Sequence, residues 1–137
     1  MSRKNEIEQA AARLATLPRF AGFGADELSQ VAETGRLLTV PESWALIVEK
    51  TPADKAYLIL DGEVSVRRGG EEVARVGKGE LIGEMALVNH KLRSATVVAE
   101  TPLEVLHFTS EDISALEEAL PNFRAALEST AGERSDG

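Results

Sequence analysis

The chain has 137 residues, 43% of them hydrophobic and 28% charged, so it can bury a core of ordinary size. Fifteen basic and 23 acidic residues give a net charge of -8, and the basic residues do not cluster, which argues against direct binding to nucleic acid or an anionic membrane. The absence of cysteine excludes disulfides, thiolate metal sites and a cysteine nucleophile. With no membrane-length apolar run and no apolar leader at its start, we expect a cytoplasmic protein.

Helical periodicity dominates residues 1–36, which we predict to be N-terminal helices. A first apolar stripe runs up to a stop at Pro18 and consists of Ile7, Ala11, Leu14 and Leu17. A second short helix is predicted over residues 25–34, and Gly35 follows it as a terminator.

Residues 37–109 change to short runs of β-branched and aliphatic residues. The runs cover residues 37–40, 44–49, 56–60, 63–67, 72–76, 94–101 and 103–109. Asp61-Gly62 and the later Arg68-Gly69-Gly70 each lie between two runs and predict tight hairpins. Strand-length runs at this density predict an eight-stranded antiparallel jelly-roll barrel rather than a parallel βαβ sheet.

Helix is predicted to return over residues 110–130. The apolar stripe there is formed by Ile113, Leu116, Leu120, Phe123 and Leu127. Pro121 is a predicted break, and residues 131–137 are small and polar and are expected to fray. The fold class is therefore mainly β with flanking α, and we expect one domain over residues 1–137.

The sixth run, residues 94–101, begins directly after an arginine on an apolar face. Arg93 shares its strand parity with Ala95, Val97 and Ala99, so its side chain is predicted to point inward. A buried guanidinium stays charged and must be paired. The partner is either a carboxylate, with Glu84 the nearest in sequence, or an anionic ligand.

The residues before Arg93 favour the anionic ligand. Gly83 permits a close approach to a short helical turn, whose first N–H groups lack internal partners and can bind a phosphate or carboxylate together with a guanidinium. Glu84 beside that anion would be repelled unless it accepts hydrogen bonds from groups such as sugar hydroxyls. Arginine for a phosphate and glutamate for a ribose hydroxyl describe a pocket for a nucleotide monophosphate.

Two short segments resemble the phosphate-binding cassette of cyclic nucleotide-binding domains. They are IGEMAL at residues 82–87 and RSATV at residues 93–97, with five residues between them. Such domains occur in bacterial catabolite activators, regulatory subunits of cyclic-AMP-dependent kinase and cyclic-nucleotide-gated channels. The cassette occupies residues 82–97, and the likeness extends over most of the chain. Four positions depart from the family pattern, which has phenylalanine for Ile82, proline for Leu92, and often glycine for Ser43 and Lys50.

The resemblance implies roles for the cassette residues. Glu84 would accept a hydrogen bond from the ribose 2′-OH, and Arg93 would pair with the exocyclic oxygens of the cyclic phosphate. Ser94 resembles the serine of the bacterial cyclic-AMP-binding activators, which favours cyclic AMP, with cyclic GMP as the second candidate. The full nucleotide-binding set, including residues whose amides would add donors, is Gly83, Glu84, Met85, Ala86, Arg93, Ser94 and Ala95.

By the same resemblance the chain is expected to be a small sensor without catalytic residues, metal or cofactor, whose C-terminal helices respond to occupancy and contact a protein effector. The alternative is a structural or protein-interaction barrel that keeps the cassette without the ligand. A small phosphodiesterase or metal-dependent enzyme is a remote third hypothesis, because His90 and His107 do not form a metal-binding cluster and no nucleophile arrangement is recognisable. No recognition helix for DNA is apparent.

Overall fold

The computed structural model describes residues 3–83 and 92–126. The helices are α1 (Arg3–Leu14), α2 (Ala25–Thr34) and α3 (Ser110–Ala119), and a 3-10 turn spans Pro18–Phe20. The strands are β1 (Arg36–Val40), β2 (Ala45–Ile47), β3 (Lys55–Asp61), β4 (Val64–Arg68), β5 (Glu71–Val76), β6 (Leu81–Ile82), β7 (Thr96–Ala99) and β8 (Leu103–Thr109). This order confirms the predicted class, mainly β with flanking helices.

The strands form two four-stranded antiparallel sheets, ordered β1-β8-β3-β6 and β2-β7-β4-β5. They are separate sheets rather than one continuous closed barrel in the part of the chain that the structure describes. One apolar core lies between the sheets and takes residues from all eight strands. A second core lies between the first sheet and the helices. Strand β3 contributes to both cores, because its side chains point alternately to opposite faces of the sheet. Ile59 and the side chains on its face point toward the other sheet, whereas Leu58 and the side chains on its face point toward the helices.

The helices begin and end where local hydrogen bonds satisfy their free backbone groups. At the start of α2, the Glu27 carboxylate accepts from the Gly24 N–H at 2.9 Å. At the start of α3, Thr109 and Asp112 form a reciprocal capping box, with distances of 2.9 and 3.1 Å. The predicted bounds of α2 are confirmed, whereas α1 ends at Leu14 and leaves Leu17 in the turn that follows.

The prediction of a hairpin at Asp61-Gly62 is wrong. Strand β3 pairs with β8 and β6, whereas β4 pairs with β5 and β7, so the turn carries the chain from one sheet to the other. The hairpin at Gly69-Gly70 is confirmed, because Arg68 pairs with Glu71 across the two glycines and both have positive φ. The seven predicted runs all contain strands, and the eighth strand, β6, has only two residues.

One partly buried histidine lies on the face of β8 that looks toward the other sheet. His107 is opposite Tyr57 in the β3–β8 register, and the two ring centroids are 6.4 Å apart. Its buried Nδ1 has no hydrogen-bond partner among the described residues. Burial lowers the pKa of His107, the charge of Lys55 lowers it further, Asp112 opposes this, and Arg36 adds a small lowering effect. The imidazole is therefore favoured in its neutral form.

We predict that Gly62→Ala destabilises the fold more than the same change at Gly69. Gly62 has φ +100°, and a Cβ there would lie 2.6 Å from the Pro102 carbonyl oxygen, whereas a Cβ at Gly69 would have nothing within 4 Å. Gly69→Ala, with positive φ alone, should cost about 1–2 kcal/mol. Gly62→Ala should cost about 1–3 kcal/mol beyond that, because it adds a steric overlap. Urea unfolding of both variants measures the difference, and equal losses would contradict the tight corner.

We predict that His107 makes the protein less stable at mildly acidic pH. Because folding lowers the pKa of His107, the unfolded chain binds more protons than the folded chain as the pH falls through the ordinary histidine pKa of about 6.5. The free energy of unfolding should therefore drop between about pH 7.5 and about pH 5.5, and His107→Gln should drop by less. Urea unfolding at both pH values tests this, with His90→Gln as control. Equal drops in the wild type and His107→Gln would exclude the contribution.

Candidate functional site

The Arg93 side chain is buried inside the protein, with 4% of the residue exposed. Regular strand structure in β7 begins three residues later, at Thr96, but the alternation of the strand already starts here. Ala95 and Val97 are fully buried, while Ser94 between Arg93 and Ala95 is exposed. The inward direction predicted from parity is confirmed, so this charge lies on the face that looks into the core between the sheets.

Backbone hydrogen bonds fix the position of Arg93 from the neighbouring turn. The Arg93 N–H donates to the Thr51 carbonyl at 2.8 Å, and the Arg93 carbonyl accepts from the Lys50 N–H at 2.8 Å. A bridge between Pro52 and Leu92 continues this pairing. The residues extend the antiparallel pairing of β2 with β7 beyond the regular strands, so the backbone on both sides of the guanidinium is held.

Two departures from the family pattern retain the backbone conformation that glycine favours. Ser43 has φ +76° and Lys50 has φ +68°. The left-handed region costs a non-glycine residue about 1–2 kcal/mol, so hydrogen bonds must hold the backbone there. Those of Lys50 include its N–H bond to the Arg93 carbonyl, and the Ser43 N–H donates to the Ala99 carbonyl at 2.7 Å. The substitutions therefore leave the turns in place.

The guanidinium joins two segments that are far apart in sequence. Nη1 donates to the Gly83 carbonyl at 2.8 Å, and Nη2 donates to the Lys55 carbonyl. Gly83 follows β6 and Lys55 begins β3, so Arg93, which precedes β7 in the second sheet, is tied to two adjacent strands of the first. Charged donors make shorter and stronger hydrogen bonds than neutral ones, which fixes the orientation of the side chain.

Gly83 is the residue that permits this approach. Its φ is +88°, and a Cβ at this position would lie 2.6 Å from Arg93 Nη1 and 3.1 Å from the Lys55 carbonyl oxygen. A side chain would displace the guanidinium or the strand. Gly83 therefore permits the close contact with Arg93, whereas the helical turn predicted to follow it lies outside the described residues.

The structure brings together part of the predicted nucleotide-binding set. Gly83 and Arg93 are in direct contact, Ser94 is exposed beside them, and Ala95 is fully buried in the core between the sheets. The other three predicted residues lie outside the described residues, and they are Glu84, Met85 and Ala86. The nucleotide-binding role of all seven stays a prediction.

Sequence reasoning missed Tyr57 as a neighbour of this site. Tyr57 lies on β3 opposite Ile82 of β6 and is 9% exposed. Burial raises the pKa of its hydroxyl, Asp54 raises it further, and the charge of Arg93 lowers it in part. The phenol therefore remains protonated and within the field of the guanidinium. The sequence did carry a signal for this position. Tyr57 is two residues from Ile59 in the buried β3 run, so both side chains lie on the same face of the strand, the face toward the core between the sheets.

The site offers a fixed cation facing an otherwise apolar interior, which suits an anion. No group of three or more His, Cys, Asp or Glu side chains that could hold a metal occurs among residues 3–83 and 92–126. None of the helices within these ranges is long and apolar enough to span a bilayer.

Comparison with known proteins identifies the family. Residues 38–119 match the family described as the cyclic nucleotide-binding domain. A cyclic nucleotide-gated potassium channel from Mesorhizobium japonicum is 31% identical over 121 residues, which cover 88% of this chain and 34% of the channel. The cyclic AMP receptor protein of Thermus thermophilus is 32% identical over 109 residues, or 76% of this chain and 50% of the receptor. This chain thus spans half or less of the length of either relative.

Solved structures share the fold. The catabolite activator protein of Thermus thermophilus superposes with a TM-score of 0.77 at 30% identity, covering 85% of this chain and 57% of that chain. A cyclic nucleotide-binding domain from Methylobacillus flagellatus superposes with a TM-score of 0.75 at 26% identity, covering 90% of this chain and 72% of that chain. The arrangement of sheets and flanking helices is the jelly-roll fold of these proteins, and the chain belongs to the cyclic nucleotide-binding domain family.

Proposed function

We propose that this chain binds cyclic AMP in preference to cyclic GMP, and that Arg93 holds the cyclic phosphate. The observation that carries the proposal is the buried guanidinium, held against Gly83 and Lys55 beside the core between the sheets. An anion placed against it would exchange hydration for charge-assisted hydrogen bonds in a region of low dielectric. A guanidinium has five N–H donors in a rigid fork and can serve main-chain carbonyls and a phosphate together.

The preference for cyclic AMP rests on Ser94 and on one relative. Ser94 is exposed directly after Arg93, where a hydroxyl can donate to a phosphate oxygen. A serine at this position resembles the bacterial cyclic-AMP-binding activators, and the Thermus thermophilus relative is named a cyclic AMP receptor protein. Cyclic GMP is the competing ligand against which the preference must be measured.

The remaining contacts are proposed from the cassette sequence. Glu84 accepts from the ribose 2′-OH, and the amides near Gly83, Met85 and Ala86 and near Ala95 add donors to the phosphate. Glu84 follows directly after Gly83, whose carbonyl is bonded to Arg93. A carboxylate placed there is compatible with an anionic ligand only if it binds a neutral donor of that ligand, and the ribose hydroxyl is such a donor.

The cellular role is proposed as signalling without catalysis. The chain acts as one cytoplasmic regulatory domain over residues 1–137, and occupancy of the site shifts its C-terminal helices and changes contact with a protein effector. It uses no cofactor and contacts neither nucleic acid nor membrane. The net charge of -8 supports the exclusion of polyanionic partners. The nucleotide shifts the helices because it binds one of two arrangements of the domain more tightly than the other, so that binding raises the population of that arrangement.

One observation favours the alternative, an interaction domain that has lost its ligand. The two carbonyl hydrogen bonds of Arg93 join β3 to the end of β6 and give the residue a structural role that requires no nucleotide. This alternative predicts that Arg93 matters for stability and that the wild type binds no cyclic nucleotide. The two functions are therefore separated by measuring affinity and unfolding on the same variants.

We predict that the wild type binds cyclic AMP with one ligand per chain, and that Arg93→Ala raises the dissociation constant about 30-fold or more. Removing one partner of a buried charge pair costs about 2–5 kcal/mol. Isothermal titration with cyclic AMP and cyclic GMP is the measurement. Arg93→Lys keeps the charge without the fork and serves as a milder variant if Arg93→Ala does not fold.

The matched control is Arg67→Ala, since Arg67 pairs with Glu100 at 3.1 Å on the side of β4 away from the core between the sheets. It should bind like the wild type. Arg93 variants that unfold more easily but bind cyclic AMP with wild-type affinity would overturn the role of Arg93 in holding the phosphate. A folded, nucleotide-free wild type that binds neither nucleotide would support the alternative.

We predict that Glu84 and the ribose 2′-OH act as one pair. The wild type should bind 2′-deoxy cyclic AMP about 10-fold or more weakly than cyclic AMP, because a hydrogen bond to a charged group contributes about 1.5–3 kcal/mol. Glu84→Gln should show a smaller difference between the two nucleotides, since its amide replaces the charged acceptor. Titrating both proteins with both ligands completes a double-mutant cycle. The same ratio in both proteins would exclude the pairing.

A further inference from the structure

A second buried arginine lies outside the cassette, and sequence reasoning did not single it out. Arg19 is the middle residue of the 3-10 turn Pro18–Phe20, and only 4% of its side chain is exposed. A guanidinium stays charged when buried, so its position is set by the polar groups that it can reach. Its partners among the described residues belong to two distant parts of the chain.

Arg19 contacts two places in the fold, the turn before β6 and the helical residues 123–126 near the C-terminus. Nε donates to the Gly79 carbonyl at 3.2 Å, and Nη2 lies 3.9 Å from Glu80 Oε2. Nη1 donates to the Ala126 carbonyl at 2.6 Å. In sequence, Gly79 is 60 residues and Ala126 is 107 residues away from Arg19. One side chain thus connects the N-terminal turn, the approach to the cassette and the C-terminal segment, defined here as residues 120–126.

The turn that Arg19 contacts is itself fixed to β3. The Gly79 N–H donates to the Ile59 carbonyl at 2.8 Å, and the Ile59 N–H donates to the Glu80 carbonyl at 2.9 Å. The two residues of β6 follow, and then Gly83, which is bonded to Arg93. Strand β6 is therefore held at its start by Arg19 and at its end by Arg93. Because β6 has only two residues, one of its ends can move very little without displacing the other, and the chain on either side of it is bonded to a buried arginine.

At its other end the Arg19 contact reaches a packed part of the C-terminal segment. Leu120, Phe123 and Ala126 are buried in the core between the helices and the first sheet. Residues 123–126 are helical, and Ala126 is the last residue that the structure describes. Apolar packing tolerates small sliding movements, but a hydrogen bond weakens steeply with distance and angle. The bond to the Ala126 carbonyl therefore specifies one relative position of this segment and the turn before β6.

We propose that Arg19 is a positioning residue that couples the cassette to the C-terminal segment, an inference that rests on the proposed function. Movement of the cassette reaches the Gly79–Glu80 turn through β6. Because a buried guanidinium cannot leave its partners without large cost, the C-terminal segment must follow or Arg19 must exchange partners. Either response gives two discrete arrangements, which is the condition for coupling between a ligand site and a remote segment.

The experiment measures the distance between the C-terminal segment and the second sheet in the full chain. The sequence contains no cysteine, so Val73→Cys and Ala125→Cys give two unique spin-labelling positions. Val73 lies in β5 with 54% exposed, and Ala125 is exposed beside Ala126. Pulsed electron resonance then records the distance distribution with and without saturating cyclic AMP, while titration of the labelled protein confirms binding.

In the labelled protein that retains Arg19, we expect cyclic AMP to shift the mean distance. In Arg19→Gln we expect a broader distribution without ligand and a ligand-induced shift reduced by at least about half. Arg19→Lys should lie between the two, because it keeps the charge but cannot span both carbonyls. The matched control is Arg13→Gln, which removes another N-terminal arginine whose partner is Glu104 of β8, at 3.0 Å. It should resemble the protein that retains Arg19.

Each other outcome identifies what fails. An equal distance change in Arg19→Gln overturns the coupling through Arg19 and leaves the proposed function intact. Cyclic AMP binding without any distance change overturns the coupling together with the proposed helix response, and leaves only the proposed nucleotide binding intact. Equal behaviour of the Arg13 and Arg19 variants also overturns it, since the effect would then be general loosening. No binding in any protein overturns the proposed function and the coupling with it. If Arg19→Gln does not fold, Arg19→Gln combined with Glu80→Gln removes the charge left behind, and Arg19→Lys supplies the same comparison.

Discussion

The cost of burying the Arg93 guanidinium organises the centre of this protein. An ionised side chain can remain inside only where fixed polar groups replace its water. Here the main chain supplies two of them, the carbonyls of Gly83 and Lys55. Main-chain carbonyls cannot swing away as side chains can, so the guanidinium in turn fixes the distance between the start of β3 and the end of β6. The absence of a Cβ at Gly83 makes this geometry possible.

Arginines in this protein act differently according to their exposure. Arg75 lies near Glu72, Glu63 and Glu100 on the outer surface, where about half of its side chain is exposed, and such pairs contribute little to stability. Arg19 and Arg93 are buried and bind main-chain carbonyls, so each acts as a rigid connection between segments. The buried pair encloses β6, the strand that leads into the cassette. Position inside the fold, rather than the number of ion pairs, decides which charges transmit movement.

The sequence allowed prediction wherever a local pattern determines the structure. The parity of Arg93 is such a pattern, since strand side chains alternate whatever the sheet order, and the Gly69-Gly70 turn fits only a narrow hairpin. The hairpin predicted at Asp61-Gly62 was wrong because the turn residues indicate a reversal of the chain but do not determine which strands pair on either side of it. Strand β6 is too short for any periodicity. The role of Arg19 depends on partners that only the tertiary fold brings close.

The acidic surface and the buried cation act at different ranges. A net charge of -8 repels polyanions such as nucleic acid, whose many phosphates sum the repulsion over a long surface. A cyclic nucleotide carries a single negative charge, and salt screens exposed charges beyond about 8–10 Å. Inside the protein the screening is weaker, so the nearby guanidinium dominates over the distant carboxylates. The same chain can therefore repel polyanions at long range and still attract one small phosphate diester to Arg93.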